Sequence, residues 1–257
     1  MIKNIYKEDN LILFVGGPRH KVLQALIENN IRIGLVFIPE IENFRLIPSI
    51  EMCNNYGIPI KKISKSQLKE QLPEIHNKPC LSLGFPYLFP KEFLEKTRFV
   101  VNVHGTLLPK YRGSRTLNWV IENGDTTSGV TVHFVDEGCD TGDIILQKSF
   151  SVSEFDTGKS LYRKTLEFEP GVVVEALKML SKRNFKVRSQ QKLLSTQYPN
   201  RQPFHSEIDP RKPLVDLYNK IRAADSENYP AYFFINEQKI CIKIWREKKL
   251  DDEDDML

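Results

Sequence analysis

The chain has 257 residues, of which 40% are hydrophobic and 27% are charged, enough to bury the core of one large globular domain with a smaller appendage. The apolar run at residues 11–15 is too short for a membrane span or a signal sequence, so we expect a cytoplasmic protein with no membrane partner. The 4 cysteines are scattered, with no CxxC pair and no histidine at ligand spacing, which argues against a disulfide framework and a metal site.

The charge is distributed unevenly along the chain. The formal net charge is +4, and removing the five negative charges of residues 251–255 (DDEDD) leaves +9 on the rest. A mildly basic body suits an anionic substrate such as a nucleotide, but the positive charge is not concentrated in a Lys/Arg run that would bind nucleic acid. We therefore expect no nucleic-acid partner, and we expect residues 250–257 to form a disordered acidic tail.

The first half of the chain alternates apolar strands with helical spacing. Residues 11–17 predict a strand ended by a glycine pair, residues 22–30 a helix and residues 31–39 a second strand. A helix stopped near Gly57 and a short extended piece follow. Residues 80–90 predict an apolar strand that runs into a Gly/Pro-punctuated loop, and a helical turn and a strand at 98–105 come next. Continuous apolar strands alternating with helices indicate an α/β fold with a mostly parallel sheet covered on both faces.

The second half predicts a helix, two strands that could pair antiparallel, and a long amphipathic helix at 157–183 disturbed at Pro170 and Gly171. Residues 186–213 are polar and proline-rich, as in a linker. A helix and a β-hairpin around residues 236–238 come next. The predicted organisation is therefore a catalytic domain at 1–185, a linker at 186–213, a small C-terminal helix and β-hairpin extension at 214–249, and the acidic tail.

The segment VNVHGTLLPKYRG, which begins at Val101, carries two polar residues at the end of an apolar strand. Alternation puts Asn102 and His104 on one face of that strand, at the edge where ligands collect in open α/β sheets. Asp140 is a third candidate, in the loop DEGCDTGD, although turn chemistry alone explains most Asp-Gly clusters. An Asn amide can donate to a developing oxyanion, a His can move protons, and a nearby carboxylate holds the imidazole and raises its pKa.

No Ser or Cys lies in a nucleophile motif such as GxSxG, so the set favours direct transfer of an acyl group to an amine. The stretch NVHGTLLPKYRG, followed by LNWVIENGDTTSGVTVHFVDEGCDTGDIILQ, resembles the core signature of the folate-dependent formyltransferases. The resemblance implies a Rossmann-like domain that moves a formyl group from N10-formyltetrahydrofolate to a primary amine, without a metal. It also implies that Asn102 stabilises the oxyanion, that His104 is the general acid/base, and that Asp140 tunes His104 and helps to take the proton of the amine.

The resemblance further implies that backbone groups of two loops hold the pterin of the donor. The cofactor-binding residues that it implies are Phe85, Pro86, Tyr87, Leu88, Phe89, Asp136, Glu137, Gly138 and Cys139. Main-chain N–H and C=O groups can read a flat heterocycle edge-on, as in strand pairing. The three aromatic rings of the first loop could equally be ordinary core residues.

The acceptor is the remaining question, and family branches use initiator methionyl-tRNA, glycinamide ribonucleotide or nucleotide-linked amino sugars. The tRNA branch usually carries a basic insertion and a C-terminal β-barrel, whereas IPEIENFRLIPSIE is short and not basic and only a short segment follows the linker. That segment resembles the helix and hairpin extension of sugar N-formyltransferases and the linker region of the tRNA enzymes, and it could also be a dimer or packing element. We therefore expect a dTDP- or UDP-linked amino sugar as the partner, formylated for surface-polysaccharide synthesis such as that of lipopolysaccharide O-antigen.

Three residues are candidate contacts to the sugar or its diphosphate, namely Arg115, Asn118 and Arg222, because Arg forks match phosphate oxygens. Many relatives read RGRxP or RGAxP where this chain reads RGSRT, so its second arginine is shifted by one position and the proline is missing. The C-terminal hairpin is also a natural edge for a homodimer. The alternatives are a methionyl-tRNA formyltransferase without the usual C-terminal domain, or a non-catalytic module that binds folate or a nucleotide.

Overall fold

The computed structural model describes residues 10–182, 185–224 and 228–249, so the predicted acidic tail lies outside the described residues. The strands of the main sheet are β1 (Leu11–Val15), β2 (Ile33–Pro39), β3 (Ile60–Ile63), β4 (Pro79–Leu83), β5 (Phe99–His104), β6 (Thr127–Phe134) and β7 (Ile144–Ser151). The helices are α1 (His20–Glu28), α2 (Ile47–Asn55), α3 (Leu72–Ile75), α4 (Lys91–Lys96), α5 (Leu117–Glu122), α6 (Gly158–Leu180) and α7 (Leu214–Ala223). After α7, strands β8 (Ala231–Ile235) and β9 (Gln238–Ile242) form a hairpin.

The main sheet has the strand order β3-β2-β1-β4-β5-β6-β7. The first five strands in this order pair parallel, whereas β6 pairs antiparallel with both β5 and β7. The strand order reverses direction at β1, which lies between β2 on one side and β4 on the other. The predicted α/β fold, with a mostly parallel sheet, an antiparallel pair and a small C-terminal hairpin, is confirmed.

Both faces of the sheet are buried, as the apolar strands predicted. Along β1, Leu11 and Leu13 pack into the core on one face and Ile12 and Phe14 into the core on the other, and each is at most 4% exposed. The first core includes residues of α1 and α6, and the second is rich in aromatic rings, with Phe14 stacked on Phe37 at 4.9 Å between ring centroids. A strand buried on both faces is apolar along its whole length, and for this reason it appears in the sequence as a continuous apolar run.

Helix α6 runs without interruption through Pro170, so the predicted disturbance at that residue is wrong. Thr157 and Ser160 form a capping box at its N-terminus, which satisfies free backbone donors there. Beyond the proline, Val173 and Leu177 are fully buried against the sheet. Packing of this apolar face holds the helix together where local propensity alone would break it. None of the helices among residues 10–182, 185–224 and 228–249 is long and apolar enough to cross a membrane.

Residues 185–213, predicted as a linker, run along the catalytic domain and contain 3-10 turns at Lys192–Leu194 and Pro203–Ser206. Their backbone pairs with that of the sheet, since Arg188 exchanges two hydrogen bonds with Ile144. Helix α7 and the hairpin share a small apolar core of their own. The domain limits themselves stay predictions.

Gly16 follows β1 at the point where the chain passes the loop after β4. A Cβ at Gly16 would lie 2.0 Å from the carbonyl oxygen of Gly84, whereas one at Gly17 would meet only a guanidinium nitrogen of Arg19 at 3.7 Å. We expect Gly16→Ala to lower the free energy of unfolding by about 1–3 kcal/mol through overpacking. Urea unfolding checks this, with Gly17→Ala as the matched control, and equal losses in the two variants would contradict the close approach.

Candidate active site

Strand β5 ends in the two polar residues that the sequence singled out. Asn102 lies opposite His133 of β6 and His104 lies opposite Thr131. The side chain of His104 is 9% exposed, and both strands are buried on their other face. The antiparallel pairing of β5 with β6 therefore places a third polar side chain, that of His133, beside the predicted pair.

Asp140 reaches this group from the loop between β6 and β7. Its Oδ2 accepts a hydrogen bond from the backbone N–H of Gly113 at 2.9 Å and lies 3.5 Å from Nδ1 of His104. Its Oδ1 accepts from Nδ2 of Asn102 at 3.3 Å and lies 3.4 Å from Nε2 of His133. The structure thus brings Asp140 beside Asn102 and His104, although Asp140 lies 38 residues beyond Asn102 along the chain.

The side-chain amide of Asn102 faces Asp140 and His133 in this structure. Nδ2 donates to Asp140 and lies 3.2 Å from Nε2 of His133. The nitrogen must be the atom on this side, because the amide oxygen would repel the carboxylate. Both contacts are long, and such contacts tighten or re-aim when a substrate binds. Asn102 can therefore turn an N–H toward a developing oxyanion at small cost.

His104 is held by a backbone carbonyl. Its Nε2 donates to the carbonyl oxygen of Tyr111 at 2.8 Å, so the neutral ring keeps its proton on Nε2 and its lone pair on Nδ1, toward Asp140. Burial lowers the pKa of His104 below its ordinary value, even though Asp140 and the Tyr111 carbonyl both act to raise it. The sequence predicted a raised pKa, and that direction is wrong because desolvation outweighs the carboxylate.

We expect His104 to be neutral at pH 7, since its pKa lies below the ordinary value of 6.5. Titration of the 13C-labelled histidines by NMR checks this, with His104→Gln used to assign the resonance. The expected midpoint lies below 6.5, where the imidazole can accept a proton at Nδ1 throughout the neutral range. A midpoint above 6.5 would mean that the attraction of Asp140 exceeds the cost of burying the charged ring.

Asp140 is the permanent charge of the site. Burial acts to raise the pKa of this carboxyl, but His104, His133 and the N–H of Gly113 together lower it well below the ordinary range. The group is therefore ionised throughout the neutral range. An ionised carboxylate beside Nδ1 of His104 stabilises the imidazolium that forms when that nitrogen takes a proton.

His133 is the residue that sequence reasoning missed as part of the site. Its Nδ1 donates to the carbonyl of Phe134 at 2.7 Å, and its Nε2 faces Asn102 at 3.2 Å and Asp140 at 3.4 Å. Alternation along Thr127–Phe134 puts His133 on the same face of β6 as Thr131. Only the β5–β6 register, which the sequence does not show, tells that this face meets Asn102.

Residues 45–177 match a family model described as formyl transferase. The match covers more than half of the chain and includes Asn102, His104 and Asp140. The chain belongs to the formyl transferase family.

Individual relatives agree with this assignment. A methionyl-tRNA formyltransferase of Clostridioides difficile (strain 630) is 31% identical over 255 residues, covering 94% of this chain and 81% of that protein. The structure of WlaRD, a sugar 3N-formyl transferase in the presence of dTDP and 5-N-formyl-THF, has a TM-score of 0.71 and 25% identity, covering 90% of this chain and 84% of that one. An N-formyltransferase from Helicobacter canadensis, in complex with folinic acid and dTDP-3-aminofucose, has a TM-score of 0.72 and 23% identity, covering 90% and 86%. The predicted enzyme class is confirmed.

In this formyltransferase, the loop after β4 combines packed rings with free backbone. Phe85 and Phe89 stack at 5.9 Å and both contact Phe14 of the core, so these rings serve the core as well as the loop. Leu88 is 66% exposed. Among the described residues, the main-chain groups of 85–89, Pro86 and Tyr87 included, make no backbone hydrogen bonds. They remain available to a heterocycle.

The second predicted donor loop, residues 136–140, is braced by its own side chains. Oδ1 of Asp136 accepts from the N–H of Gly138 and from the hydroxyl of Thr141. Glu137 points outward and lies 3.4 Å from Lys91, and Cys139 is exposed beside Asp140. The loop is thus shaped before any ligand binds. Within the ranges that the structure describes, no cluster of His, Cys, Asp and Glu is arranged to hold a metal ion.

Two of the three predicted acceptor contacts have structural partners instead. Arg222 is 5% exposed, and its guanidinium donates to the carbonyls of Ser153 and Asp156, so its fork is occupied by backbone and not presented to a phosphate. Asn118 donates to the carbonyl of Ala223 at 2.6 Å and ties α5 to the end of α7. The prediction for Arg222 is corrected, because helix packing that the sequence does not show buries this side chain, whereas Asn118 is half-buried and its contact stays a prediction.

Arg115 differs from these two residues. It is exposed and has a left-handed backbone conformation, with φ at 55°. It lies two residues beyond Gly113, whose N–H binds Asp140. Arg115 therefore stays a candidate contact at the rim of the site.

Proposed function

We propose that this formyltransferase moves the formyl group of N10-formyltetrahydrofolate to the primary amine of a dTDP- or UDP-linked amino sugar. The observation that carries the proposal is the likeness to WlaRD, at 25% identity over 90% of this chain. A match of that extent includes part of the chain beyond α6, where the sequence resembles the extension of sugar N-formyltransferases and the linker region of the tRNA enzymes. The proposal includes the cytoplasmic location and the role in surface-polysaccharide synthesis expected from the sequence.

We call Asn102, His104 and Asp140 the trio, and the donor fits the two loops beside it. Free backbone groups at 85–89 suit the edge of a pterin, and Gly16 passes close to Gly84 at the start of this loop. Residues 136–139 would close the other side. When bound there, the donor supplies an electrophilic formyl carbon.

Asn102 handles the negative charge in the proposed reaction. As the amine nitrogen bonds to the formyl carbon, the carbonyl electron pair moves onto oxygen. Asn102 turns one N–H from its long contact with His133 or Asp140 toward that oxygen. A donor already positioned in a buried site stabilises the developing charge far more than water does.

His104 transfers a proton from the attacking amine to the leaving nitrogen of the donor in the proposed reaction. Its neutral Nδ1 accepts the proton that the amine loses on attack, and Asp140 stabilises the resulting imidazolium at 3.5 Å. His104 then returns this proton to the nitrogen of the donor as the carbon–nitrogen bond breaks. The proton count closes, and the imidazole is neutral again for the next cycle.

A second acceptor has an observation in its favour. The methionyl-tRNA formyltransferase of C. difficile is 31% identical to this chain, a higher identity than that of WlaRD, and the chain covers 81% of it. The proposed trio would serve either amine, because the chemistry at the nitrogen is the same. Methionyl-tRNA is therefore the competing candidate.

The test offers N10-formyltetrahydrofolate with four acceptors in parallel, namely dTDP-3-aminofucose, a UDP-linked amino sugar, glycinamide ribonucleotide and initiator methionyl-tRNA. Mass spectrometry follows the gain of one formyl group on each. We expect transfer to a nucleotide sugar. Transfer to the tRNA alone would overturn the proposal in favour of the second candidate, and donor binding without any transfer would point to a binding module.

The proposal extends to a homodimer through the hairpin β8–β9. Phe234 and Ile235 are half-exposed and Trp245 is 71% exposed, and an apolar hairpin with an open strand edge favours pairing. Analytical ultracentrifugation is expected to give a dimer that Phe234→Asp weakens. A monomer at all concentrations would remove this part of the proposal.

A further inference from the structure

Gln190 lies in the segment that the sequence predicted as a linker, yet its amide contacts the loop between β6 and β7 that carries Asp140, here called the catalytic loop. Nε2 donates to the carbonyl of Asp140 at 2.9 Å and to the carbonyl of Gly142 at 2.7 Å. Oε1 accepts from Nε and Nη2 of Arg112, at 3.1 and 2.7 Å. Both hydrogens and both lone pairs of this amide are therefore used, on Arg112 of the loop after β5 and on the loop between β6 and β7.

The backbone of Asp140 needs such support. Its φ is 54°, in the left-handed region that few residues other than glycine adopt. Gln190 holds the carbonyl of this residue, and the N–H of Gly113 holds its carboxylate. Together the two contacts determine where Oδ2 stands relative to Nδ1 of His104, which lies 3.5 Å away.

Thr196 makes the corresponding contact on the side of His104. Its hydroxyl oxygen accepts from the N–H of Tyr111 at 2.9 Å, and its backbone carbonyl accepts from the N–H of Arg112 at 3.0 Å. Tyr111 is also left-handed, with φ at 59°, and its carbonyl receives the Nε2 proton of His104. Thr196 thus holds the residue that selects the tautomer of the imidazole.

We propose that Gln190 and Thr196 are positioning residues for formyl transfer, Gln190 through the Asp140 loop and Thr196 through Tyr111. The proposal rests on the acid–base roles given to His104 and Asp140 under the proposed function. Neither positioning residue touches the reacting atoms. These two residues therefore give the segment a positioning role beyond that of a spacer.

The test compares two matched pairs of variants. Gln190→Met keeps the length of the side chain and removes its hydrogen bonds, and Gln191→Met makes the same change at the exposed neighbour. Thr196→Val keeps the shape and removes the acceptor, whereas Thr196→Ser keeps the hydroxyl. Kinetics use whichever acceptor of the panel the wild type formylates, and thermal unfolding confirms that each variant is folded.

We expect Gln190→Met and Thr196→Val to lower kcat by about 100-fold, as small displacements of catalytic groups do, with little change in KM. Gln191→Met and Thr196→Ser are expected to stay within about twofold of the wild type, since each keeps the contacts that matter. Equal kcat values within both pairs would overturn the proposal. A rise of KM with unchanged kcat would do the same, because it would assign these residues to binding.

A second measurement needs no acceptor. The His104 resonance is titrated in the same variants, and its pKa is expected to fall in Gln190→Met and Thr196→Val, because Asp140 and the Tyr111 carbonyl both raise it. An unchanged titration in both variants would overturn the proposal. If no acceptor in the panel is formylated, the proposed function fails while this titration still decides whether the two residues position the site.

Discussion

Replacing His104 by alanine is expected to lower kcat/KM for formyl transfer by about 100- to 10,000-fold, the range that general acid–base groups contribute. The residue is buried, its Nε2 proton is committed to the Tyr111 carbonyl, and its free Nδ1 faces Asp140. This arrangement leaves one nitrogen to take a proton near neutral pH. No neighbouring carboxylate replaces it, because Asp140 stays ionised and is a poor base.

The control for this variant is His76→Ala. His76 is exposed and precedes β4, at the amino end of the parallel strands, whereas the site lies at the carboxyl end of β5. Steady-state kinetics of both variants, with their thermal unfolding, separate lost chemistry from lost folding. Less than a tenfold loss in a folded His104→Ala protein would remove His104 from the proton-transfer role.

Replacing Asn102 by alanine is expected to lower kcat by about 100- to 1,000-fold, as the loss of one oxyanion donor does. The affinity for the donor should change little, because the proposed pterin contacts are made by backbone groups of two other loops. Asn102→Asp is expected to be at least as slow. It would remove the donor and set a second carboxylate against Asp140, now 3.3 Å from the amide nitrogen.

Single-turnover kinetics and donor binding by fluorescence check these expectations together. Binding near that of the wild type with slow transfer is the expected combination. Near-full activity of Asn102→Ala would contradict the assignment and would favour His133 or backbone N–H groups as the oxyanion donors.

Much of the fold and of the trio could be predicted because each depends on local patterns. Apolar runs predicted the strands, and the two-residue spacing of Asn102 and His104 put both on one face of β5. Asp140 could be found because it lies in a loop whose composition fits neither a helix nor a strand. These features follow from residues that are neighbours in the chain.

The failures have a shared physical cause, which is contact between distant segments. The pKa of His104 depends on its burial by several loops. The position of His133 beside Asn102 depends on the β5–β6 register. The burial of Arg222 depends on the packing of α7 against the loop at Ser153–Asp156. Composition suggested a linker where Gln190 binds the catalytic loop. Polarity shows that a side chain needs a partner, but the fold determines which partner it has.

The central claim is that the trio transfers a formyl group to a nucleotide-linked amino sugar. The most direct test incubates wild-type protein and His104→Ala with 13C-formyl-labelled N10-formyltetrahydrofolate and dTDP-3-aminofucose or a UDP-linked amino sugar, and follows the label by mass spectrometry. We expect the labelled carbon on the sugar nitrogen with the wild type and almost none with the variant. Label that reaches only methionyl-tRNA, or equal labelling by the two proteins, would contradict the claim.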